Sequence, residues 1–142
     1  MSSRQSSSGL MAKAVLIAAL VSILATCGDP AYQPPPIALA FSPGFQPPTV
    51  LNTGAYAGIA VTVTNDTKNG GVGFSCTPDQ NLGDCGSFTP PSVASSVPTC
   101  YLAPASVPPG GTVTITATSA TDPTKSISAQ ITIQNGVANQ CP

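Results

Sequence analysis

Apolar residues alternate with small or polar residues along several short stretches, which is the period of a β-strand with one buried face. The clearest case lies near the end of the chain, where Val113, Ile115 and Ala117 alternate with threonines. A second alternating stretch covers residues 127–133, and residues 121–125 between the two have the composition of a turn. This part of the chain is therefore predicted to form a β-hairpin.

The same period occurs earlier in the chain. Ile59, Val61 and Val63 alternate with small or polar residues, and Val72, Phe74 and Cys76 do so after a turn-like segment at 65–71. Residues 77–86 are predicted to be a polar loop. Weaker strand candidates are a broken first strand at 37–41 and 49–51, and short strands at 87–89 and 99–102. The pattern predicts an all-β domain, a two-sheet antiparallel β-sandwich of about seven strands.

The first 26 residues follow a different pattern. A polar start with Arg4 and Lys13 precedes an apolar or small run at residues 14–26. As a helix this run would be about 20 Å long, which is short of the roughly 30 Å hydrocarbon core of a bilayer. Residues 1–26 are therefore predicted to be a signal peptide, and a transmembrane or buried core helix is the weaker interpretation.

The run ends in Leu24-Ala25-Thr26-Cys27-Gly28, which resembles the lipobox of bacterial lipoproteins. It departs from the usual motif at Thr26, where Gly, Ala or Ser is more common. The resemblance implies that Cys27 becomes the lipidated N-terminus and provides a membrane anchor. The alternatives are an ordinary secretory signal cut near Thr26 and an uncleaved signal anchor, both of which still export the domain. Residues 27–36 are rich in proline and are predicted to form an extended tether.

The cysteine count agrees with a lipidated Cys27. The chain has five cysteines, and an odd thiol in an exported protein needs an explanation. Lipidation of Cys27 leaves Cys76, Cys85, Cys100 and Cys141, which are expected to form two disulfides in an oxidising compartment. Three pairings are possible, and we favour Cys76 with Cys85 and Cys100 with Cys141. A zinc site is the competing interpretation, but the spacing does not match that of zinc knuckles.

Charge and composition exclude several function classes. The 142 residues include four Lys or Arg, five Asp or Glu and no His, which gives a net charge of −1. Without imidazole there is no Ser-His-Asp triad, no Cys-His pair and no histidine metal site. No basic cluster is available for nucleic acid. We therefore expect a protein with no catalytic residues, no metal, no cofactor and no nucleic-acid partner.

Residues 56–134 resemble the bacterial Ig-like domains of exported and surface proteins. The segments that carry the resemblance are Gly86-Ser87-Phe88-Thr89-Pro90, Tyr101-Leu102-Ala103-Pro104-Ala105, and residues 107–119 and 122–126. Such domains often have Trp before Ser on the third strand, where this chain has Phe74-Ser75. The resemblance implies an Ig-like sandwich that serves as a spacer, an adhesion module or a ligand-presenting module, and it does not imply catalysis.

The side chains that could carry chemistry are few. The carboxylates Asp66, Asp79, Asp84 and Asp122 all fall in predicted turns, and turn formation explains them. Two of them could instead serve as acid and base in glycoside hydrolysis, or several could bind calcium, but no EF-hand pattern is present.

The aromatic residues raise one further binding hypothesis. Tyr32, Phe45 and Tyr56 lie outside the best strand alternation and could form a platform for a carbohydrate or a protein partner. Tyr56 is more simply explained by packing at the sandwich edge. Tyr101 is expected to be structural, with a hydrogen-bond partner for its hydroxyl group.

The expected organisation is a signal peptide at 1–26, a tether at 27–36 and one Ig-like domain at 37–142. The expected protein is an exported, membrane-anchored bacterial lipoprotein in the periplasm or at the cell surface. Its lipid anchor binds the membrane, and its domain serves as a structural, adhesion or protein-interaction module. A carbohydrate- or cell-wall-binding module of the same fold is the alternative. The protein or glycan partner is not identified by the sequence.

Overall fold

The strands form where β-branched residues and threonine are concentrated, and turns form at Pro, Gly, Asn and Asp. The computed structural model describes residues 33–139. In these residues the strands are β1 (Ala38–Phe41), β2 (Val50–Asn52), β3 (Tyr56–Ile59), β4 (Val61–Thr64), β5 (Val72–Pro78), β6 (Ser87–Thr89), β7 (Ser92–Val93), β8 (Thr99–Leu102), β9 (Thr112–Ser119) and β10 (Ser126–Gln134). A single turn of 3₁₀-helix lies at Asp79–Asn81.

The strands are arranged in sheets around one core, consistent with a β-sandwich. One sheet has the order β2-β10-β9-β5-β7, and β9 pairs antiparallel with both β5 and β10. The opposing strands form the order β3-β8-β6 and the pair β1-β4. Only Ala60 separates β3 from β4, so one extended segment pairs first with β8 and then with β1.

The predicted alternation is confirmed. In β9 every second residue is buried, and the threonines between them are less buried. In β10 Ile131 and Ile133 are buried, while Ser128, Gln130 and Thr132 are exposed. Other core residues from the opposing strands are Ile59, Val61 and Tyr101. Burial of these side chains supplies the main favourable free energy of folding.

Three aromatic rings, two of them buried and one partly buried, pack against one another in the core region. Phe74 on β5 and Phe88 on β6 have ring centroids 5.4 Å apart. The rings of Phe88 and Tyr101, on β8, are 5.0 Å apart. Because Phe74 belongs to one sheet and the other two rings to the opposing strands, this cluster joins the layers.

The structure differs from the sequence prediction in three respects. The described residues form ten strands rather than about seven, because the exchange of partners at Ala60 divides one segment and short edge strands form around prolines. Strand β5 continues to Pro78, inside the expected loop. Strand β2 pairs in parallel with β10, so the sandwich is not wholly antiparallel.

Candidate functional site

A disulfide closes the loop between β5 and β6. Cys76 and Cys85 are bonded, with their Cα atoms 5.8 Å apart, in agreement with the first expected pairing. Cys100 is also disulfide-bonded. Its expected partner Cys141 and the expected lipidation site Cys27 lie outside the described residues. The cysteines of the described segment are therefore structural cross-links.

Tyr101 connects this loop to the core. Its side chain is fully buried, and its hydroxyl group donates a hydrogen bond to the carbonyl oxygen of Cys85. Burial, and secondarily the negative charge of Asp84, raises the pKa of Tyr101. The expected structural role of Tyr101 is confirmed, and its hydroxyl group remains protonated at neutral pH.

The four candidate carboxylates each accept hydrogen bonds from nearby backbone amides. Asp66 accepts from Lys68 and Gly70, and Asp122 accepts from the amide and hydroxyl of Thr124. The other two carboxylates accept from neighbouring amides in the loop between β5 and β6, Asp79 from Gln80 and Asp84 from Gly86. All four form turns, as expected from the sequence.

Two of these carboxylates have a lowered pKa. The hydroxyl of Thr124 is the main cause at Asp122. At Asp66 the main cause is Thr121, whose hydroxyl faces the carboxylate without forming a hydrogen bond of regular geometry. Backbone amides add to this effect, and desolvation works against it. A lowered pKa keeps both groups ionised at neutral pH, which is unsuited to a general acid.

Two of the three candidate platform rings lie on one face of β3. Phe45 is 39% exposed, and its ring covers Gly58, where an added Cβ atom would lie 3.4 Å from the ring edge. Tyr56 is half-buried and lies two residues before Gly58, on the same face of the strand. Tyr32 lies outside the described residues.

The surface of residues 33–139 includes the following two open depressions. One, of about 260 Å³, is bordered by Asp84, Ser87 and Leu102 among others. The other, of about 380 Å³, is bordered by Asn52, Gln134 and Asn139 together with apolar residues. Each offers hydrogen-bonding groups, and neither contains two carboxylates. Across residues 33–139, no three Cys, Asp, Glu or His side chains are grouped so that they could hold a metal ion.

The pattern of hydrophobic residues did not reveal that part of one strand edge is open. Strand β2 pairs with β10 only from Thr132 to Gln134, and the part of β10 that precedes Thr132 is hydrogen-bonded to a strand on one side only. Strand β1 also contacts β10, without pairing with it. The backbone of Ser126, Ser128 and Gln130 faces this open side. The available signal is that β10 contains neither proline nor a charged residue.

None of the helical structure in the described part of the chain has the length and apolar content needed to cross a membrane. In comparisons with known proteins, no family model, no curated protein and no solved structure matches this chain.

Proposed function

We propose that this chain is an exported bacterial lipoprotein that carries one Ig-like domain and acts without catalysis. Cys27 bears the lipid, residues 27–36 form a tether, and the domain at 37–142 is a structural, adhesion or protein-interaction module in the periplasm or at the cell surface. The observation that carries the proposal is that Cys76, Cys85 and Cys100 are disulfide-bonded. They follow, in sequence, a segment at residues 1–26 that has the pattern of a signal peptide.

Disulfides support export because they persist in oxidising compartments and are rare in a reducing cytoplasm. Three cysteines of the domain are disulfide-bonded, and the chain has five cysteines in total. Because disulfides use cysteines in pairs, one cysteine is left over, and lipidation of Cys27 accounts for it. The tether adjoins the domain at its last residue, since the carbonyl oxygen of Pro36 accepts a hydrogen bond from the side chain of Asn65.

The order of the strands supports the Ig-like assignment. In the constant-type Ig fold, strands A, B, E and D share one sheet and strands G, F and C the other. In this chain strand A corresponds to β1, strand B to the segment of β3 and β4, strand E to β8 and strand D to β6. Strands G, F and C correspond to β10, β9 and β5. On this assignment β2 and β7 are additional short edge strands.

The absence of catalysis is supported by the use of the four carboxylates in turns, because their oxygens are already engaged by backbone amides. No histidine is present anywhere in the chain to act as a base. A domain of this kind interacts through its loops and strand edges.

The intact mass of the protein after expression in a bacterial host tests the proposal. We expect a chain that begins at Cys27 and carries a diacylglycerol and an acyl group. The Cys27→Ala variant should lack this modification, whereas Cys76→Ala should keep it as a control. An unmodified mass for the wild type, with cleavage elsewhere or none, would overturn the lipid anchor.

A carbohydrate- or cell-wall-binding module of the same fold is the second candidate. It is supported by Phe45 and Tyr56, which lie on one face of β3 with Phe45 exposed. Retention of the protein on purified cell-wall polysaccharide tests this candidate. Phe45→Ala should reduce retention, and Leu82→Ala should not, because Leu82 is exposed in a loop. Equal retention of both variants, or none for the wild type, would argue against a glycan platform.

A further inference from the structure

Strand β10 presents alternate backbone groups to its two sides. Lys125, just before the strand, accepts from the amide of Ser119, and the amide of Ile133 donates to Gly111. The odd-numbered residues between them therefore face β9, since residues alternate along a strand. The amide of Thr132 donates to Thr49 on the opposite side, as expected for an even-numbered residue.

The even-numbered residues Ser126, Ser128 and Gln130 therefore direct their N–H and C=O groups away from β9. Their side chains are exposed, and no backbone group within residues 33–139 bonds to this side of them. Strand β1 contacts β10, but its backbone ladder is formed with β4, so it does not use the N–H and C=O groups of these three residues. This free edge of β10 extends from the turn at 121–125 to the start of β2.

Unprotected edges are uncommon, because they can pair with other chains. The other outer strands described here are at most four residues long, and prolines lie close to them at 34–36, 47–48 and 90–91. Strand β10 has nine residues and contains no proline and no charged residue. On this side of β10 the prolines at 47–48 lie just before Thr49, which bonds to Thr132, and the strand itself has no proline or charge along 126–130.

We propose that the free edge of β10 binds the same edge of a second copy of this chain, in an antiparallel pair centred on Ser128. This arrangement places Ser128 opposite the second copy's Ser128, and Ser126 opposite the second copy's Gln130. Three hydrogen-bonded residue pairs result, and each exchanges two backbone hydrogen bonds. All three unpaired residues of each copy then gain a partner.

A shift of this register by two residues makes the pairing worse. It would place Ser126 opposite the second copy's Thr132, whose amide already donates to Thr49. In the centred register Thr132 lies opposite residue 124 in the turn, so the new ladder ends where β2 begins.

The exposed face of the sheet also favours this partner. Ser75, Thr116 and Ser128 form one row across β5, β9 and β10, and the hydroxyl groups of Thr116 and Ser128 are 2.9 Å apart. In the pair this row continues into the same row of the second copy. No like charges meet, because β10 is uncharged. The edge is thus complementary to itself, as a twofold interface requires.

Charge substitutions at the twofold position test the proposal. Two differently tagged copies of the full chain are expressed together, extracted in detergent, and co-purified through one tag. Ser128→Lys in both copies places two positive charges opposite each other, and we expect co-purification to fall about fivefold. Ser128→Lys in one copy with Ser128→Asp in the other should restore it.

Ser75→Lys in both copies is the matched control, because Ser75 is exposed on the same face two strands away. The Ser75→Lys copies should co-purify as well as the wild type. If lipidated chains co-purified only because they share a detergent micelle, the Ser128→Lys copies would co-purify as well as this control. Wild-type copies that do not co-purify, a lysine pair that co-purifies normally, or a Lys/Asp pair that is not restored would each overturn the proposal. The pairing does not depend on the lipid anchor, so failure of the Cys27 experiment leaves it intact.

Discussion

At the scale of single residues, the hydroxyl group of Tyr101 binds the disulfide loop to the core by its hydrogen bond to Cys85. Tyr101→Phe removes this donor and leaves the carbonyl oxygen of Cys85 without its hydrogen bond. We therefore expect the free energy of unfolding to fall by about 1–3 kcal/mol. Urea unfolding at neutral pH measures the change. Tyr56→Phe, which removes the same atom from a half-buried ring, should have a smaller effect. Equal effects would contradict this role for Tyr101.

The raised pKa of Tyr101 predicts a loss of stability in alkaline solution. The folded protein keeps the phenolic proton at pH values where the unfolded chain, with a pKa of about 10.0, releases it. Stability conferred by Tyr101 is therefore complete below about pH 10 and declines above it. The stability difference between wild type and Tyr101→Phe should shrink between about pH 9 and about pH 11 in urea titrations. A constant difference would argue against a shifted pKa.

Gly86 combines a positive φ with a close backbone contact. Its φ is +93°, and an added Cβ atom would lie 2.1 Å from the carbonyl oxygen of Leu102. Gly44 has a similar φ of +82°, but a Cβ atom added there would have no atom within 4 Å. Gly44→Ala therefore measures the cost of the positive φ alone, without a steric clash. Gly44→Ala should cost about 1 kcal/mol and Gly86→Ala clearly more, measured by urea unfolding. A larger loss at Gly44 would contradict the steric argument.

At the scale of elements, the Cys76–Cys85 disulfide restrains the loop that joins β5 to the opposing strands. Replacing both cysteines by alanine should lower the free energy of unfolding by about 2.5–3 kcal/mol, the entropy of closing a loop of about ten residues. Ser75→Ala with Ser87→Ala is the control, since both serines are exposed neighbours in the chain. A loss below about 0.5 kcal/mol would show that the disulfide adds little.

At the scale of the whole molecule, the domain has few charges and no histidine. The charged residues among 33–139 all lie outside the strands: Asp66, Lys68, Asp79, Asp84, Asp122 and Lys125. No side chain in this part has an ordinary pKa near neutrality, so the free energy of unfolding should be nearly constant between about pH 5.5 and about pH 8.5. Thermal unfolding at several pH values measures this.

Below that range the stability should fall. The pKa values of Asp66 and Asp122 are lowered in the folded protein, so the stability they confer is present above about pH 4. It is lost as the pH falls through their folded values. Asp122→Asn should flatten part of this acid decline. A steep change in stability near pH 6.5 would contradict the attribution of the pH dependence to these aspartates. It would require a group that titrates near neutrality, and residues 33–139 contain no histidine.

Much of the architecture was predictable from the sequence. The alternation at Val113–Ala117 and at Ile127–Ile133 identified the buried faces of β9 and β10, because the two-residue period of a strand is a local property. Turn chemistry likewise located the aspartates, since an Asp carboxylate binds amides only a few residues away. The loop disulfide was predictable for a similar reason, because its cysteines are close in sequence.

Only the tertiary structure decided which strand pairs with which. No local pattern shows that the extended segment exchanges partners at Ala60, that β2 joins β10 in parallel, or that the Tyr101 hydroxyl meets Cys85. The free edge beside Ser128 also results from strand pairing, because β2 pairs with β10 only from Thr132 onward. Hydrophobic alternation specifies which side chains face the core, whereas neighbouring strands are selected by long-range contacts that close the sheets. The sequence by itself therefore determined the faces of the strands, and the packed fold determined their edges.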